Sequence, residues 1–133
     1  MNDNARKKAQ YTFSKNERLN SKKLIQELFT KGSSFCLYPI KIIYLHQASD
    51  AEGSNKVLFT VSKKRFKKAV DRNKIKRRLR EAYRLNKYQL LDPDLSGDPL
   101  LIAYIYIGRD ILSFKEIESK LKDSLLRLKN KMI

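Results

Sequence analysis

The sequence is poor in the residues that build disulfide-linked or metal-supported folds. It has one cysteine, one histidine and no tryptophan among 133 residues. A single cysteine cannot form an internal disulfide or a multi-cysteine zinc site, and Cys36 stands in an apolar, strand-like stretch where cysteine usually packs as a small hydrophobe. The fold must therefore rest on hydrophobic packing, and we assign no function to Cys36.

Long hydrophobic segments are missing as well. No apolar run approaches the roughly 20 residues that a membrane-spanning helix needs, and residues 1–10 lack the apolar region of a secretory signal. We therefore expect a cytoplasmic protein without a membrane partner. Residues 1–12 carry Arg6, Lys7 and Lys8 without periodicity, which predicts a mobile basic arm that either contacts phosphates or is an inert tail.

Acidic residues are scarce relative to basic ones. Thirty Lys and Arg against fourteen Asp and Glu give a formal net charge of +16, while hydrophobic residues still make up 41% of the chain. This composition predicts one folded domain over residues 1–133. Its positive charges repel one another, and the stability of the fold does not explain why so many are present. Nucleic acid and an anionic membrane surface are the two classes of polyanionic partner that would explain this charge, and without a membrane partner we expect nucleic acid.

The first half of the chain shows one helix and three strands. Apolar residues at one-face spacing predict a first helix with Ser21 as N-cap and Gly32 as C-cap. Pro39 should split the β-prone residues 35–45 into two strands or confine them to a sheet edge. A third strand is expected at residues 57–61.

The second half adds a long basic helix, a central strand at residues 100–107 and a final helix. Ser113 and Glu116 have the spacing of a capping box at the start of that last helix. The pattern predicts an α+β fold, a single two-layer sandwich with the element order αβββαβα.

The basic helix carries most of the excess charge. Residues 62–88 hold thirteen Lys and Arg against two acidic residues, a net +11. At about 100° per residue, a helix from about residue 69 to 88 has an apolar arc and an opposite cationic arc. The apolar arc consists of Ile75, Leu79, Ala82, Tyr83 and Leu85, and the cationic arc of Asn73, Lys76, Arg77, Arg80, Arg84 and Lys87. Like charges at i and i+4 destabilise a helix, so the pattern favours nucleic-acid contact over a merely solvated face.

The aromatic residues favour RNA over DNA. The chain has seven Tyr and six Phe, several of them on the proposed strands, where bases of a single strand could stack. A strand aromatic taken alone is more often a core residue. No helix-turn-helix or zinc-finger pattern for reading a DNA groove is present.

One composite motif resembles a known family. Residues 59–64 read Phe-Thr-Val-Ser-Lys-Lys, and residues 68–81 read Lys-Ala-Val-Asp-Arg-Asn-Lys-Ile-Lys-Arg-Arg-Leu-Arg-Glu. Together they resemble the signature of the bacterial ribonuclease P protein family, in which a strand ending in Ser-Lys-Lys leads into a helix with an Arg-Asn-Arg-x-Lys-Arg-x-x-Arg-Glu pattern. Lys74 replaces the usual second Arg, which keeps the charge but loses the planar fork for a bidentate phosphate contact.

The resemblance, over about residues 17–130, implies a function and a partner. It implies an RNA-binding subunit of ribonuclease P, which binds the RNA subunit and the single-stranded 5′ leader of precursor tRNA. Such a subunit assists the catalytic RNA in removing that leader endonucleolytically, so the chain is expected to be part of an enzyme. The resemblance also implies a left-handed βαβ crossover, against the usual right-handed preference.

The site residues follow partly from the helical wheel and partly from the resemblance. Phe29 and Tyr44 are suggested as leader-stacking residues, because the family binds the leader in a groove between the sheet and the first helix. The expected RNA-binding residues are Ser62, Lys63, Lys64, Lys68, Arg72, Asn73, Lys74, Lys76, Arg77, Arg80, Arg84 and Lys87.

The chain offers no credible set of residues for hydrolysis by the protein alone. His46 is the only histidine and borders a polar loop, and Asp92, Asp94 and Asp98 stand among Pro and Gly, where acidic residues are common turn formers. We expect no catalytic residue, no metal site and no protein-bound cofactor. The resemblance places Mg²⁺ on the RNA subunit, and no obligate protein partner is expected.

Two other functions are compatible with the composition. A ribosomal or ribosome-assembly protein would bind RNA without a catalytic partner, and a DNA-binding regulator is a more distant alternative. The Ser-Lys-Lys motif followed by Arg-Asn-x-x-Lys-Arg argues against both. The RNA that copurifies with the protein from cells would distinguish them.

The cationic arc predicts a steep salt dependence of RNA binding. A helix that neutralises about six phosphates should give a plot of log K against log salt with a slope of roughly −4 to −5. Filter binding or fluorescence anisotropy across a salt series measures this slope. A flat response would show that phosphate neutralisation does not drive binding.

Overall fold

A computed structural model describes residues 13–47, 55–90 and 99–132. The predicted basic arm and the three loop carboxylates Asp92, Asp94 and Asp98 lie outside the described residues. The helices are α1 (Lys22–Lys31), α2 (Ala69–Asn86) and α3 (Phe114–Met132), and the strands are β1 (Ser33–Leu37), β2 (Ile40–His46), β3 (Lys56–Val61) and β4 (Leu100–Tyr106). Short 3₁₀ helices cover Lys15–Glu17 and Lys87–Leu90. This confirms the α+β class and the order αβββαβα.

One four-stranded mixed sheet has the order β1-β2-β4-β3. β1 and β2 form an antiparallel hairpin around Tyr38 and Pro39, whose peptide bond is cis. β4 lies between β2, its antiparallel partner, and β3, its parallel partner, which confirms β4 as a central strand. The chain passes from β3 through α2 to β4, and the left hand of this crossover stays a prediction.

Apolar side chains cover both faces of the sheet. On one face, Ile42, Phe59 and Tyr104 join the core beneath α2 and α3. On the other face, Ile43 and Ala103 pack with α1 around its buried Leu28. Because neighbouring strand residues point to opposite faces, β4 is apolar along nearly its whole length, and α1 adds a partial third layer to the sandwich.

Side-chain caps begin the helices where the sequence predicts them. The Leu24 backbone N–H donates to Ser21 Oγ (3.4 Å) at the start of α1. At α3 the Glu116 backbone N–H donates to Ser113 Oγ (3.3 Å), while the Glu116 carboxylate accepts from the Ser113 backbone N–H (2.9 Å). Both predicted caps are confirmed. None of the helices in the described ranges is long and apolar enough to cross a membrane.

The core contains tyrosines that burial keeps protonated. Tyr104 is fully buried and its hydroxyl shares a hydrogen bond with Ser124 Oγ (3.1 Å). Burial raises the pKa of Tyr104, and it also raises the pKa of the neighbouring buried Tyr83. In the unfolded chain these phenols ionise near their ordinary pKa of about 10, whereas in the folded protein they stay protonated to higher pH. The free energy of unfolding therefore falls as the pH rises above about 10.

We therefore expect alkaline destabilisation that depends on Tyr104. At neutral pH the Tyr104→Phe variant should lose about 1 kcal/mol of unfolding free energy with the Ser124 hydrogen bond. Ser124 Oγ donates to the Leu121 carbonyl, and it should keep this hydrogen bond in the variant. Above about pH 10 the wild type should lose more stability than the variant. Urea denaturation at several pH values measures both, and parallel pH profiles would contradict this account.

Candidate nucleic-acid interface

Helix α2 is oriented by its apolar arc. Ile75, Leu79, Ala82 and Tyr83 are buried against the sheet and α3, as predicted, while Leu85 is only half-buried. The buried Asn86 completes this face, and its Nδ2 donates to the Ala82 carbonyl (2.8 Å) and to the Glu118 carboxylate on α3 (3.2 Å). Since these contacts fix the rotation of α2, the opposite arc points away from the core.

Most of the sequence-predicted RNA-binding residues lie on that outer side or on the loop before α2. These residues follow one another along the chain from the end of β3 through α2, and the structure leaves most of them accessible to solvent. The exposed members are Lys63, Lys64, Lys68, Asn73, Lys74, Arg77 and Arg80, and the half-buried members are Ser62, Arg72, Lys76 and Arg84. The charges are thus accessible to a polyanion, and the RNA contacts themselves stay predictions.

The loop between β3 and α2 is held by its own hydrogen bonds. The Lys64 backbone N–H donates to Ser62 Oγ (3.2 Å), which tightens the turn that presents Lys63 and Lys64. Arg72 Nη1 donates to the carbonyls of Phe66 (2.7 Å) and Lys67 (2.8 Å). Arg72 therefore ties the loop to the first turn of α2, so its guanidinium already has a structural task beside any RNA contact.

Lys87 does not belong to the exposed cationic face, so this part of the prediction is wrong. The regular helix ends at Asn86, but the Lys87 backbone N–H still donates to the Tyr83 carbonyl, so Lys87 keeps its helical position. The N-terminal segment covers it there. The Lys87 side chain is only 4% exposed, and its Nζ lies 2.7 Å from each carboxylate oxygen of Glu17. Lys87 holds the N-terminal segment against α2 instead.

Arg84 shares its charge with a neighbour on the same helix. Its guanidinium forms an ion pair with Glu81, one helical turn away. The hydrogen bond from Arg84 lowers the pKa of the Glu81 carboxyl, which favours the charged pair. Because this pair is largely solvated it adds little stability, and the Arg84 cation is partly neutralised by Glu81.

The two leader-stacking candidates do not share a groove. Phe29 is 46% exposed on α1. Tyr44 lies on the opposite face of the sheet from α1, because its neighbours Ile43 and Leu45 are the residues that pack beneath that helix. The expectation that Tyr44 faces a groove between the sheet and α1 is therefore wrong, and strand alternation from Ile43 was the signal that could have corrected it.

Tyr44 belongs to an aromatic and cationic cluster beside α3. Its ring packs edge-on against Phe35 of β1, with the ring centroids 6.0 Å apart. Arg127 of α3 lies over the Phe35 ring (5.6 Å) and Lys131 lies over the Tyr44 ring (5.8 Å). Both rings are half-buried and both cations exposed, so this cluster joins π faces and positive charge at one edge of the sheet.

Arg18 is a candidate that the sequence pattern did not single out. It follows the first 3₁₀ helix, outside any periodic segment, yet it lines a small surface cavity together with Arg80 of α2. The apolar walls of this cavity include Phe13 and Leu58. The pairing arises from tertiary structure, since 62 positions separate the two arginines.

The described residues show no metal centre. Within residues 13–47, 55–90 and 99–132, no three His, Cys, Asp or Glu side chains are grouped so that they could hold an ion. His46 is exposed at the end of β2. Since the loop carboxylates lie outside these ranges, the absence of a metal site in the whole chain stays a prediction.

Comparisons with known proteins show which family the chain resembles. The family model described as Ribonuclease P matches residues 13–129. The chain is 35% identical over 122 residues to a ribonuclease P protein component of Porphyromonas gingivalis, covering 90% of this chain and 88% of that protein. It is 42% identical over 103 residues to the ribonuclease P protein component of Chlorobium phaeobacteroides, covering 71% and 70%.

A solved structure has the same fold. The RNase P protein from Thermotoga maritima superposes with a TM-score of 0.65 at 24% identity, covering 84% of this chain and 96% of that one. At that identity the match supports the fold alone. The family model and the two relatives cover most of the chain, and on that basis the chain belongs to the family of bacterial ribonuclease P protein components.

Proposed function

We propose that this chain is the RNA-binding subunit of a ribonuclease P ribonucleoprotein. In this role it binds the RNA subunit and the single-stranded 5′ leader of precursor tRNA, and it assists the RNA in removing that leader endonucleolytically. The catalytic centre and its Mg²⁺ belong to the RNA subunit, and the complex works in the cytoplasm. Family membership and the cationic surface from β3 to α2 support the proposal.

The observation that carries the proposal is the division of α2 into a buried face and a cationic face. Ile75 and Leu79 are fully buried, while Arg77 and Arg80 are exposed on the other side. Neutralisation of phosphates with release of counterions is the interaction that such a surface serves. A rigid helix also keeps the spacing of its charges fixed, which reduces the ordering cost of binding.

Leader binding would use the aromatic residues outside α2. Phe29 is exposed on α1, and Phe35 and Tyr44 form a cluster with two cations on the other face of the sheet. Aromatic side chains next to positive charge bind single strands without reading their sequence. That property suits a leader whose sequence differs among precursor tRNAs.

Charge reversal on α2 should abolish tight binding to the RNA subunit. The variant with Arg77→Glu and Arg80→Glu should fold normally, because both side chains are exposed opposite the buried face. It should bind the RNA at least a hundredfold more weakly, since two phosphate contacts are replaced by repulsion. Gel-shift titration at fixed salt measures the affinity, and circular dichroism checks the fold.

A matched control carries the same change in charge elsewhere. Lys115→Glu with Lys122→Glu alters two exposed residues of α3 and should weaken binding much less. If both double variants lose affinity equally, net charge and not the α2 face governs binding. If neither loses affinity, the proposed interface lies in the wrong place.

The protein should help the RNA most when cations are scarce and the leader is long. Added to the cognate RNA subunit at low Mg²⁺, it should restore leader removal, because its positive charge offsets repulsion between RNA and RNA. High Mg²⁺ should make it less necessary. Its benefit should shrink when the leader is shortened to one nucleotide, since the stacking residues then have nothing to hold.

Single-turnover cleavage of 5′-labelled precursor tRNA measures this benefit directly. Protein freed of RNA should not cut the substrate by itself. Specific cleavage by the protein alone would contradict the proposed division of labour and direct attention to Asp92, Asp94 and Asp98. A benefit that does not depend on leader length would contradict the proposed leader contacts, but it would not contradict binding of the RNA subunit.

A further inference from the structure

The backbone around Arg18 is fixed on both sides. The preceding residue, Glu17, accepts hydrogen bonds from the buried Lys87 Nζ at 2.7 Å. The Leu19 backbone N–H donates to the Val57 carbonyl on β3 (3.0 Å), and Leu19 is itself buried. Arg18 is therefore held between α2 and the outer edge of β3, although it belongs to no regular helix or strand.

Arg80 approaches the same place from α2. On the helical wheel Arg80 and Lys87 lie about 20° apart, so the ion pair that docks Glu17 on Lys87 sets Arg18 beside Arg80, two turns earlier. Arg18 and Arg80 both line one cavity of about 150 Å³. The Arg18 guanidinium lies over the Phe13 ring at 5.7 Å, which supports it from one side.

The carboxylates nearest to these arginines in sequence have other partners. Glu17 is paired with Lys87, and Glu81 is paired with Arg84. Across the described ranges neither Arg18 nor Arg80 forms an ion pair, and no acidic residue lines the cavity. Within the described part of the chain, two arginines therefore line one small cavity without a counter-charge.

The size and lining of the cavity select one kind of ligand. Sites for whole drug-sized ligands occupy roughly 300–1,000 Å³, so this surface cavity is smaller than such a site and suits a single anionic group. Its other walls are apolar side chains, including Leu19, Leu58 and Phe59, against which a sugar could pack. Guanidinium groups match the oxygens of a phosphate in charge and geometry.

We propose that Arg18 and Arg80 form a clamp for one phosphodiester of a bound RNA strand, with Lys87 as the residue that positions Arg18. The inference rests on the proposed function and adds a specific subsite to it. Leu58 belongs to the sheet face that carries α1, while Arg80 extends from the cationic face of α2. The clamp thus connects these two surfaces around the edge of β3, and one RNA strand can follow both.

A double-mutant cycle tests the clamp. Arg18→Gln, Arg80→Gln and the double variant are compared for binding of short single-stranded oligouridylate at constant ionic strength. Each single variant should lose about tenfold in affinity, because a charge-assisted contact to one phosphate is removed. The double variant should lose clearly less than the product of the two, since both side chains hold the same phosphate. Losses that multiply exactly would overturn the clamp.

Arg77→Gln is the matched control for the proposed function. It removes one exposed guanidinium from α2 without touching the cavity. If Arg77→Gln weakens binding and Arg18→Gln does not, the α2 interface stands and the clamp fails. If neither variant weakens binding, the proposed RNA interface itself fails. If Arg18→Gln and Arg80→Gln lower the affinity for inorganic phosphate but not for oligouridylate, the cavity holds free phosphate, and the assignment to an RNA strand is overturned.

The positioning role of Lys87 has its own readout. Glu17→Gln with Lys87→Met replaces the buried ion pair by neutral side chains, a change that proteins often tolerate. In this background Arg18→Gln should no longer affect oligouridylate affinity, whereas Arg77→Gln should act as before. Thermal denaturation confirms that the variant folds. An undiminished effect of Arg18→Gln would show that Arg18 does not depend on Lys87.

Discussion

The burial of one face of α2 is the constraint on which the rest of this structure depends. Fully burying side chains such as Ile75 and Leu79 contributes about 1.5–3 kcal/mol each. The like-charge pair of Lys76 and Arg80, spaced i and i+4, costs only about 0.2–0.5 kcal/mol. Packing therefore outweighs the repulsion along the opposite face. The same contacts fix the rotation of the helix, so the core determines where the positive charge points.

Sequence periodicity predicted the features that depend on local geometry. The caps at Ser21 and Ser113, the division of the first two strands at Pro39 and the buried face of α2 all follow from rules that span a few residues. Lys87 was placed wrongly because a helical wheel gives the angular position of a residue and not the segments that cover it, and Glu17 of the N-terminal segment packs over Lys87. Tyr44 was placed wrongly because its resemblance-based role did not take account of strand alternation.

The features beyond the reach of the sequence are contacts between distant segments. Glu17 and Lys87 are 70 residues apart, and nothing in either local sequence indicates that they form a buried ion pair. The hydrogen bond from Asn86 to Glu118 on α3 likewise joins residues that are far apart in the sequence. A buried ion pair contributes little net stability because desolvation offsets the attraction. We infer that the ion pair mainly fixes the position of the N-terminal segment. If that segment docked elsewhere, Lys87 would keep a buried charge without Glu17, which is unfavourable.

The acidic residues show how a chain with so few of them keeps its cations available. Glu17 neutralises the buried Lys87, Glu116 accepts hydrogen bonds at the start of α3, and Glu118 holds Asn86. Asp71 lies in the first turn of α2, where a negative charge favours the helix dipole. These acids thus act in docking, capping and helix support and do not shield the exposed Arg77 and Arg80. The excess positive charge destabilises the unbound protein through self-repulsion, but it faces solvent, where a polyanion can bind it.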